Sequence, residues 1–229
     1  YPDCWVSIAF MAAATQRLQF TTSIYVLPLR NPFEVAKATG SLDIFSGGRF
    51  ALGVGAGWME DEFDIYGVPF RARGQRMDEM IDVMHKLWQG GMVDHEGPLF
   101  PFPRLCIEPA PGHHVPIYVG GANEAALRRA AVRGDGWIGA GNHPDEVPAL
   151  MARLQTLREE AGRAAEPFET IVGLTTPADV ATLQRLEESG MTSTVNMPFS
   201  FALGKQSTLD AKKRFMEDFE RRIMRPLRG

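Results

Sequence analysis

The feature that most constrains the fold is an alternation of apolar runs and amphipathic segments along all 229 residues. Short runs rich in β-branched and aromatic residues, such as Leu18–Pro28, predict strands, and helical periodicity marks the segments between them. The clearest helix is "RGQRMDEMIDVMHKLWQG", in which Met77, Met80 and Met84 share one face and Gly90 ends the segment. We interpret these methionines as core rather than as a metal or cofactor box. The whole chain predicts six strands separated by helices.

Two architectures fit this alternation. Several strands are apolar on both faces, as parallel strands are when helices cover them. Right-handed crossovers then leave an open doubly wound sheet or a barrel. Glycine-rich strand ends recur at Gly55–Gly57, Gly120–Gly121 and Gly139–Gly141. An open sheet has its ligand crevice at one switch point, whereas repeated glycine-rich ends fit a barrel rim better, so the pattern favours the barrel without excluding the open sheet.

Composition and charge exclude several classes of binding partner. The formal charge of −4 gives no electrostatic reason to expect nucleic acid or an anionic membrane, and no apolar run approaches the ~20 residues of a membrane span. The opening "YPDCWV" has no basic n-region, and Cys4 and Cys106 form no paired motif, so we predict a cytoplasmic protein without a signal peptide. His113 and His114 lack partners at zinc spacing, so no metal site is predicted.

The stretch "RFALGVGAGWMEDEF" fails the test for a dinucleotide-binding fingerprint. Counted from Gly53 or Gly55, the sixth position holds Trp58 or Glu60 instead of glycine, and no clean helix starts there. Two interpretations of the alternate glycines remain. They leave space inside a crowded barrel, or they let a flat ring approach the strand backbone.

Four segments together resemble one family. "LPLRNP", "SLDIFSGGRFALGVGAGWMEDEFDIYGVPFRARGQRMDE", "VPIYVGGANEAALRRAA" and "RGDGWIGAG" occur in the order found in the bacterial luciferase-like flavin- and F420-dependent oxidoreductases. The chain most resembles the F420-dependent branch. This resemblance implies a TIM (β/α)8-type barrel forming a single domain over residues 1–229, with a Pro-rich lid at about 91–115. It also implies that the six strands are barrel strands three to eight, with the first strand–helix–strand missing from this chain.

The function implied by the resemblance is hydride transfer between coenzyme F420, or alternatively FMN, and a small organic substrate. With FMN the reaction extends to monooxygenation. A homodimer is implied as well, but no catalytic residue is assigned. The alternative is a truncated, non-catalytic flavin-binding relative of luciferase.

The resemblance also implies a cofactor site. A non-prolyl cis peptide is expected at Ser23–Ile24, behind the ring. An anion site for the cofactor tail is expected where glycine-rich strand ends meet the following segments, because helix-start N–H groups favour anions. Trp58 stands where some relatives carry a glutamate, and a buried core tryptophan is the alternative interpretation. Arg30 is a candidate for binding substrate or an acidic cofactor tail, with a surface salt bridge as the alternative interpretation, and His143 is a candidate substrate residue, with solvent exposure as the alternative. The implied cofactor site comprises Ser23, Ile24, Gly55, Ala56, Gly57, Trp58, Gly120, Gly121, Ala122, Gly139, Ala140, Gly141 and Asn142.

Overall fold

The computed structural model describes residues 2–195 and 198–228, and the chain divides into two compact units, Tyr1–Ile138 and Gly139–Gly229. The first unit contains helices α1 (Cys4–Ala13), α2 (Pro32–Ser46), α3 (Glu60–Tyr66), α4 (Arg73–Trp88) and α5 (Glu124–Arg133). Its strands are β1 (Phe20–Thr21), β2 (Tyr25–Val26), β3 (Phe50–Gly55), β4 (Val93–His95), β5 (Phe102–Leu105) and β6 (Ile117–Gly120). Strand β7 (Gly136–Asn142) begins in the first unit and ends in the second.

The sheet of the first unit is built around β3. Strands β1, β2 and β6 all pair with β3 in parallel, and β6 pairs in parallel with the start of β7. All six residues of β3 are buried, which agrees with a parallel strand covered on both faces. Because parallel strands end at the same edge, Val26, Gly55 and Gly120 mark one carboxyl edge of this sheet.

The strand predicted over Leu18–Pro28 is broken into two pieces. Strand β1 ends at Thr21, β2 starts at Tyr25, and a 3₁₀ turn (Leu27–Leu29) follows. Between the two pieces the Thr22 hydroxyl donates to the Gly53 carbonyl oxygen at 2.6 Å. A side-chain hydrogen bond thus replaces the main-chain ladder at this point, which periodicity does not reveal.

Helix α4 confirms the predicted apolar face. Met77, Met80 and Met84 are fully buried, so the interpretation as core is confirmed. The Trp88 indole N–H donates to the Ala36 carbonyl oxygen of α2 at 3.1 Å. This bond satisfies the one polar atom of a large buried ring and ties α4 to α2.

The Pro-rich segment Gly91–Val115 contains an antiparallel hairpin of β4 and β5. The hairpin packs along α4, where the Lys86 ammonium donates to the Asp94 carbonyl oxygen at 3.0 Å and the Glu79 carboxylate accepts from the Leu99 and Phe100 N–H groups. The hairpin is therefore attached to a helix. Its role as a lid stays a prediction.

The second unit continues the alternation. After β7 come α6 (Val147–Glu160), β8 (Glu169–Leu174), α7 (Val180–Glu188), β9 (Ser193–Val195), α8 (Phe199–Ala202), α9 (Leu209–Phe219), a π-helical turn (Glu220–Met224) and α10 (Arg225–Arg228). Strands β8 and β9 pair in parallel. The strand predicted over Met191–Phe199 extends past β9 into Asn196 and Met197, which lie outside the described residues. Within 2–195 and 198–228, every helix is too short or too polar to cross a membrane.

Candidate functional site

The carboxyl edge of β2, β3 and β6 is organised around the Ile24 side chain. A Cβ atom added to Gly55 would lie 1.8 Å from Ile24 Cδ1, and one added to Gly120 would lie 2.7 Å from Ile24 Cγ2. Both glycines therefore make room for this isoleucine. The interpretation that the alternate glycines let a flat ring approach the strand backbone is wrong at Gly55, because the Ile24 side chain fills that space. Ile24 itself remains 38% exposed, so an apolar surface is presented there instead.

The peptide bond between Ser23 and Ile24 is cis, as the resemblance implies. Ser23 is exposed, and the strand resumes at Tyr25. One of the predicted cofactor residues, Ile24, thus lies against two others, Gly55 and Gly120.

Gly57 is closely packed by protein atoms, whereas Trp58 is exposed. Gly57 has a φ of 81°, and an added Cβ would lie 2.8 Å from both the Phe63 ring and Val26 Cγ1. This glycine is required by close packing and by its backbone conformation. Trp58 is 81% exposed, so its interpretation as a core tryptophan is wrong. Ala56, between Gly55 and Gly57, is half-buried.

The segment after β6 retains the features expected of an anion site. Gly121 has a φ of 126°, and its carbonyl oxygen accepts the Trp137 indole N–H at 2.7 Å. Ala122 and Asn123 are exposed, and the Asn123 side chain caps α5 by accepting the Ala126 N–H at 2.9 Å. The helix start therefore stands at the carboxyl end of β6, with its cap formed.

The remaining predicted cofactor residues lie in the second unit. Gly139, Ala140, Gly141 and Asn142 are the last four residues of β7, in agreement with the glycine-rich strand end predicted at Gly139–Gly141. Ala140 and Gly141 are exposed, whereas Asn142 is buried and its Oδ1 has no hydrogen-bond partner among the described residues. The predicted substrate residue His143 is exposed, with Nδ1 3.5 Å from an Asp145 carboxylate oxygen.

Arg30 follows the 3₁₀ turn at the end of β2. Its guanidinium carbon lies 5.1 Å from the centre of the Tyr25 ring and 5.3 Å from that of Tyr66. One terminal nitrogen donates to the Tyr66 hydroxyl at 3.3 Å, whereas Nε is buried and has no hydrogen-bond partner in the part of the chain that the structure describes. Both rings favour a cation at this distance.

Two further arginines at this edge were missed by the sequence analysis. Arg73 Nε donates to the Gly57 carbonyl oxygen at 3.1 Å, and Arg76 Nε donates to the Pro28 carbonyl oxygen at 2.8 Å. The signal was present in "RGQRMDE", where Arg73, Arg76 and Glu79 recur every three residues on the polar face of α4. The pKa of Arg76 is lowered, because burial lowers it by more than the nearby Glu79 carboxylate raises it.

The two adjacent histidines of the Pro-rich segment bind carboxylates distant in sequence. His113 lies 2.9 Å from Asp43, and His114 lies 2.8 Å from Asp135, whose carboxylate also accepts the Ile117 N–H at 2.8 Å. Burial raises the pKa of Asp43 despite the opposing effect of His113. Burial also acts to raise the pKa of Asp135, but the hydrogen bonds from His114 and Ile117 outweigh it, so that pKa is lowered. In the described part of the chain, no cluster of His, Cys, Asp and Glu side chains is arranged to hold a metal ion.

The fold and the family can now be stated. The alternating helices and parallel strands define an α/β protein of the luciferase-like barrel type. The family model described as luciferase-like monooxygenase matches residues 1–219, and the chain belongs to this family.

Similar proteins support the same assignment. A Mycobacterium tuberculosis protein described as uncharacterized is 38% identical over 224 residues, covering 97% of this chain and 77% of that protein. The coenzyme F420-dependent tetrahydromethanopterin reductase of Methanopyrus kandleri has a similar fold, with a TM-score of 0.78 at 16% identity over 97% of this chain and 87% of the reductase. The monooxygenase RslO1 of Streptomyces bottropensis gives a TM-score of 0.68 at 22% identity over 96% and 65% of the two chains.

Proposed function

We propose that this chain binds coenzyme F420, with FMN as the alternative, and transfers a hydride between the cofactor and a small organic substrate. The family includes redox enzymes, and one structural neighbour is an F420-dependent reductase. The finer assignment to F420 follows the resemblance of the four sequence segments. The bound cofactor would supply the hydride chemistry, and the protein would position the ring and the substrate.

The observation that carries the proposal is the half-exposed Ile24 side chain at the carboxyl edge of the sheet. Gly55 and Gly120 support it from behind, so the isoleucine cannot withdraw into the sheet without meeting backbone. A fixed aliphatic surface of this kind fits one face of a planar, largely apolar ring system. In this proposal Ile24 bears on the ring, and the two glycines hold Ile24 in place.

The cofactor tail is anionic in both candidates and needs donors beyond the ring. The start of α5, with Ala122 exposed beside it, offers such a place in the first unit. We assign no residue to proton transfer. At the position where some relatives carry a glutamate, this chain has Trp58, whose side chain has neither a carboxylate nor an imidazole to exchange a proton.

The test is a titration of the purified chain with F420 and with FMN, followed by absorbance and fluorescence. We expect one cofactor to bind, and Ile24→Ala to weaken its binding about 10-fold through the loss of about 1.5 kcal/mol of apolar contact. Ile65→Ala is the matched control, since Ile65 is an exposed isoleucine on α3. Thermal unfolding of both variants separates loss of the ring contact from loss of folding.

The outcomes separate the proposal from its alternative. Binding followed by turnover with an organic donor or acceptor would support the redox enzyme. Binding without turnover against a broad substrate panel would favour a non-catalytic flavin-binding relative. If the folded chain binds neither F420 nor FMN, the proposal is wrong.

A further inference from the structure

Arg30 is held in a fixed position at the carboxyl edge of the first unit. Its backbone N–H donates to the Leu27 carbonyl oxygen at 3.0 Å. Arg76 donates to the Pro28 and Arg30 carbonyl oxygens, at 2.8 and 3.4 Å. The backbone bearing the guanidinium is thus fixed from α4, and the guanidinium itself lies near the rings of Tyr25 and Tyr66.

The donors of Arg30 are incompletely satisfied. The guanidinium carries five N–H groups, and among the described residues it donates one hydrogen bond, to the Tyr66 hydroxyl oxygen. Its Nε is buried and has no acceptor among residues 2–195 and 198–228. A buried donor on a charged group is costly when it has no partner, and an acceptor from outside the chain would bind the terminal nitrogens of the guanidinium rather than this buried Nε.

Two neighbouring arginines, Arg73 and Arg76, add positive charge at the same edge. Arg73 and Arg76 also direct their hydrogen bonds to main-chain carbonyl oxygens, and within 2–195 and 198–228 no carboxylate forms an ion pair with either of them or with Arg30. The first turn of α3, Glu60–Glu62, carries three carboxylates, and none of them binds these arginines. Arg30, Arg73 and Arg76 thus bring three positive charges to this edge, offset in part by the Glu79 carboxylate, which acts to raise the pKa of Arg76.

We propose that Arg30 is an anion-recognition residue that receives a carboxylate or phosphate group at the mouth of the site. Its planar fork can donate two parallel hydrogen bonds to such a group, which an ammonium cannot reproduce. This proposal rests on the proposed function, which supplies the anion that Arg30 would bind. The source of that anion is either an acidic substrate or the charged tail of the cofactor, and the chemistry recognised is the same.

The experiment compares Arg30→Met and Arg30→Lys with the unmodified chain. Arg71→Met is the matched control, since Arg71 is an exposed arginine in the same unit. FMN is titrated against riboflavin, and F420 against its deazaflavin core without the phosphate and glutamate tail. Inorganic phosphate and benzoate are then titrated calorimetrically into the cofactor-loaded and cofactor-free chains.

The two sources give different results. If Arg30 binds the cofactor tail, Arg30→Met weakens FMN or F420 binding at least 10-fold and leaves the tail-free ligands within 2-fold. If it binds substrate, Arg30→Met leaves every cofactor affinity within 2-fold and weakens phosphate or benzoate binding at least 10-fold. In both cases the affinity of Arg30→Lys lies between those of the unmodified chain and Arg30→Met, because lysine keeps the positive charge but cannot donate two parallel hydrogen bonds.

The inference is overturned if folded Arg30→Met and Arg30→Lys chains match the Arg71→Met control for every ligand. This failure is distinct from failure of the proposed function. A chain that binds no flavin or deazaflavin, yet loses benzoate or phosphate binding with Arg30→Met, keeps the anion site and refutes the redox assignment. Should Arg30→Met fail to fold, the Arg30→Lys comparison decides.

Discussion

Replacing Glu79 with alanine should detach the tip of the β4–β5 hairpin from α4. The Glu79 side chain is 8% exposed, and its carboxylate accepts the Leu99 N–H at 2.9 Å and the Phe100 N–H at 2.7 Å. The packing is close, since a Cβ on Gly97 would lie 2.1 Å from Glu79 Oε1. The His95 ring also lies against the carboxylate, with Nε2 3.4 Å from Oε1.

The magnitude follows from the two hydrogen bonds to a charged acceptor. Each contributes about 1.5–3 kcal/mol, and loss of both would cost about 3–6 kcal/mol if nothing relaxed. Leu99 is exposed, so water can reach part of the tip, and removal of the carboxylate also removes its desolvation penalty. We therefore expect Glu79→Ala to lower the free energy of unfolding by about 2–4 kcal/mol, and Glu79→Gln by about 1–2 kcal/mol because one acceptor oxygen remains.

Urea unfolding measures the global cost, and native-state hydrogen exchange at the Leu99 and Phe100 amides measures the local one. A local loss of 2 kcal/mol predicts roughly 30-fold faster exchange at these two amides. Glu96→Ala is the control, since Glu96 is an exposed carboxylate in the same hairpin. If Glu79→Ala unfolds within about 0.5 kcal/mol of Glu96→Ala and both amides keep their protection, the carboxylate does not hold the tip.

Three further predictions concern the core and its buried carboxylates. Gly53→Ala should severely destabilise the first unit, visible as lost cooperative unfolding by circular dichroism, since its Cβ would lie 1.7 Å from the Thr22 carbonyl oxygen; near-native stability would contradict the close approach. Because burial raises the pKa of Asp43, its contribution to stability should be present below about pH 4 and lost as the pH rises, so the free energy of unfolding of Asp43→Asn relative to the unmodified chain should increase as the pH rises above about 4. Asp135, whose pKa is lowered, should show the opposite sign, with its contribution present above about pH 4 and lost on acidification. Each assignment is refuted if the stability difference between its Asn variant and the unmodified chain does not change with pH, or changes in the opposite direction.

Local patterns in the chain were sufficient for much of the fold. The three buried methionines of α4 stand three and four residues apart, so their shared face is encoded by local spacing. The start of α2 is equally local, since Asn31 caps it by accepting the Phe33 N–H at 2.9 Å and Pro32 stands at the first helical position. The alternation of such helices with apolar runs indicated a parallel α/β protein, and the family resemblance led to the barrel type.

The site was decided by contacts between segments distant in sequence. Glycine at positions 55 and 120 was recognisable as special, but only the folded chain shows that both positions accommodate Ile24. Likewise, Arg30 was a candidate from its place in the sequence, whereas its Tyr66 neighbour is 36 residues away. Sequence periodicity indicates which face of a helix or strand is buried, because side chains on one face recur every three to four residues in a helix and every second residue in a strand. Which side chain fills a given space depends on how separate elements pack, and packing at that precision exists only in the tertiary structure.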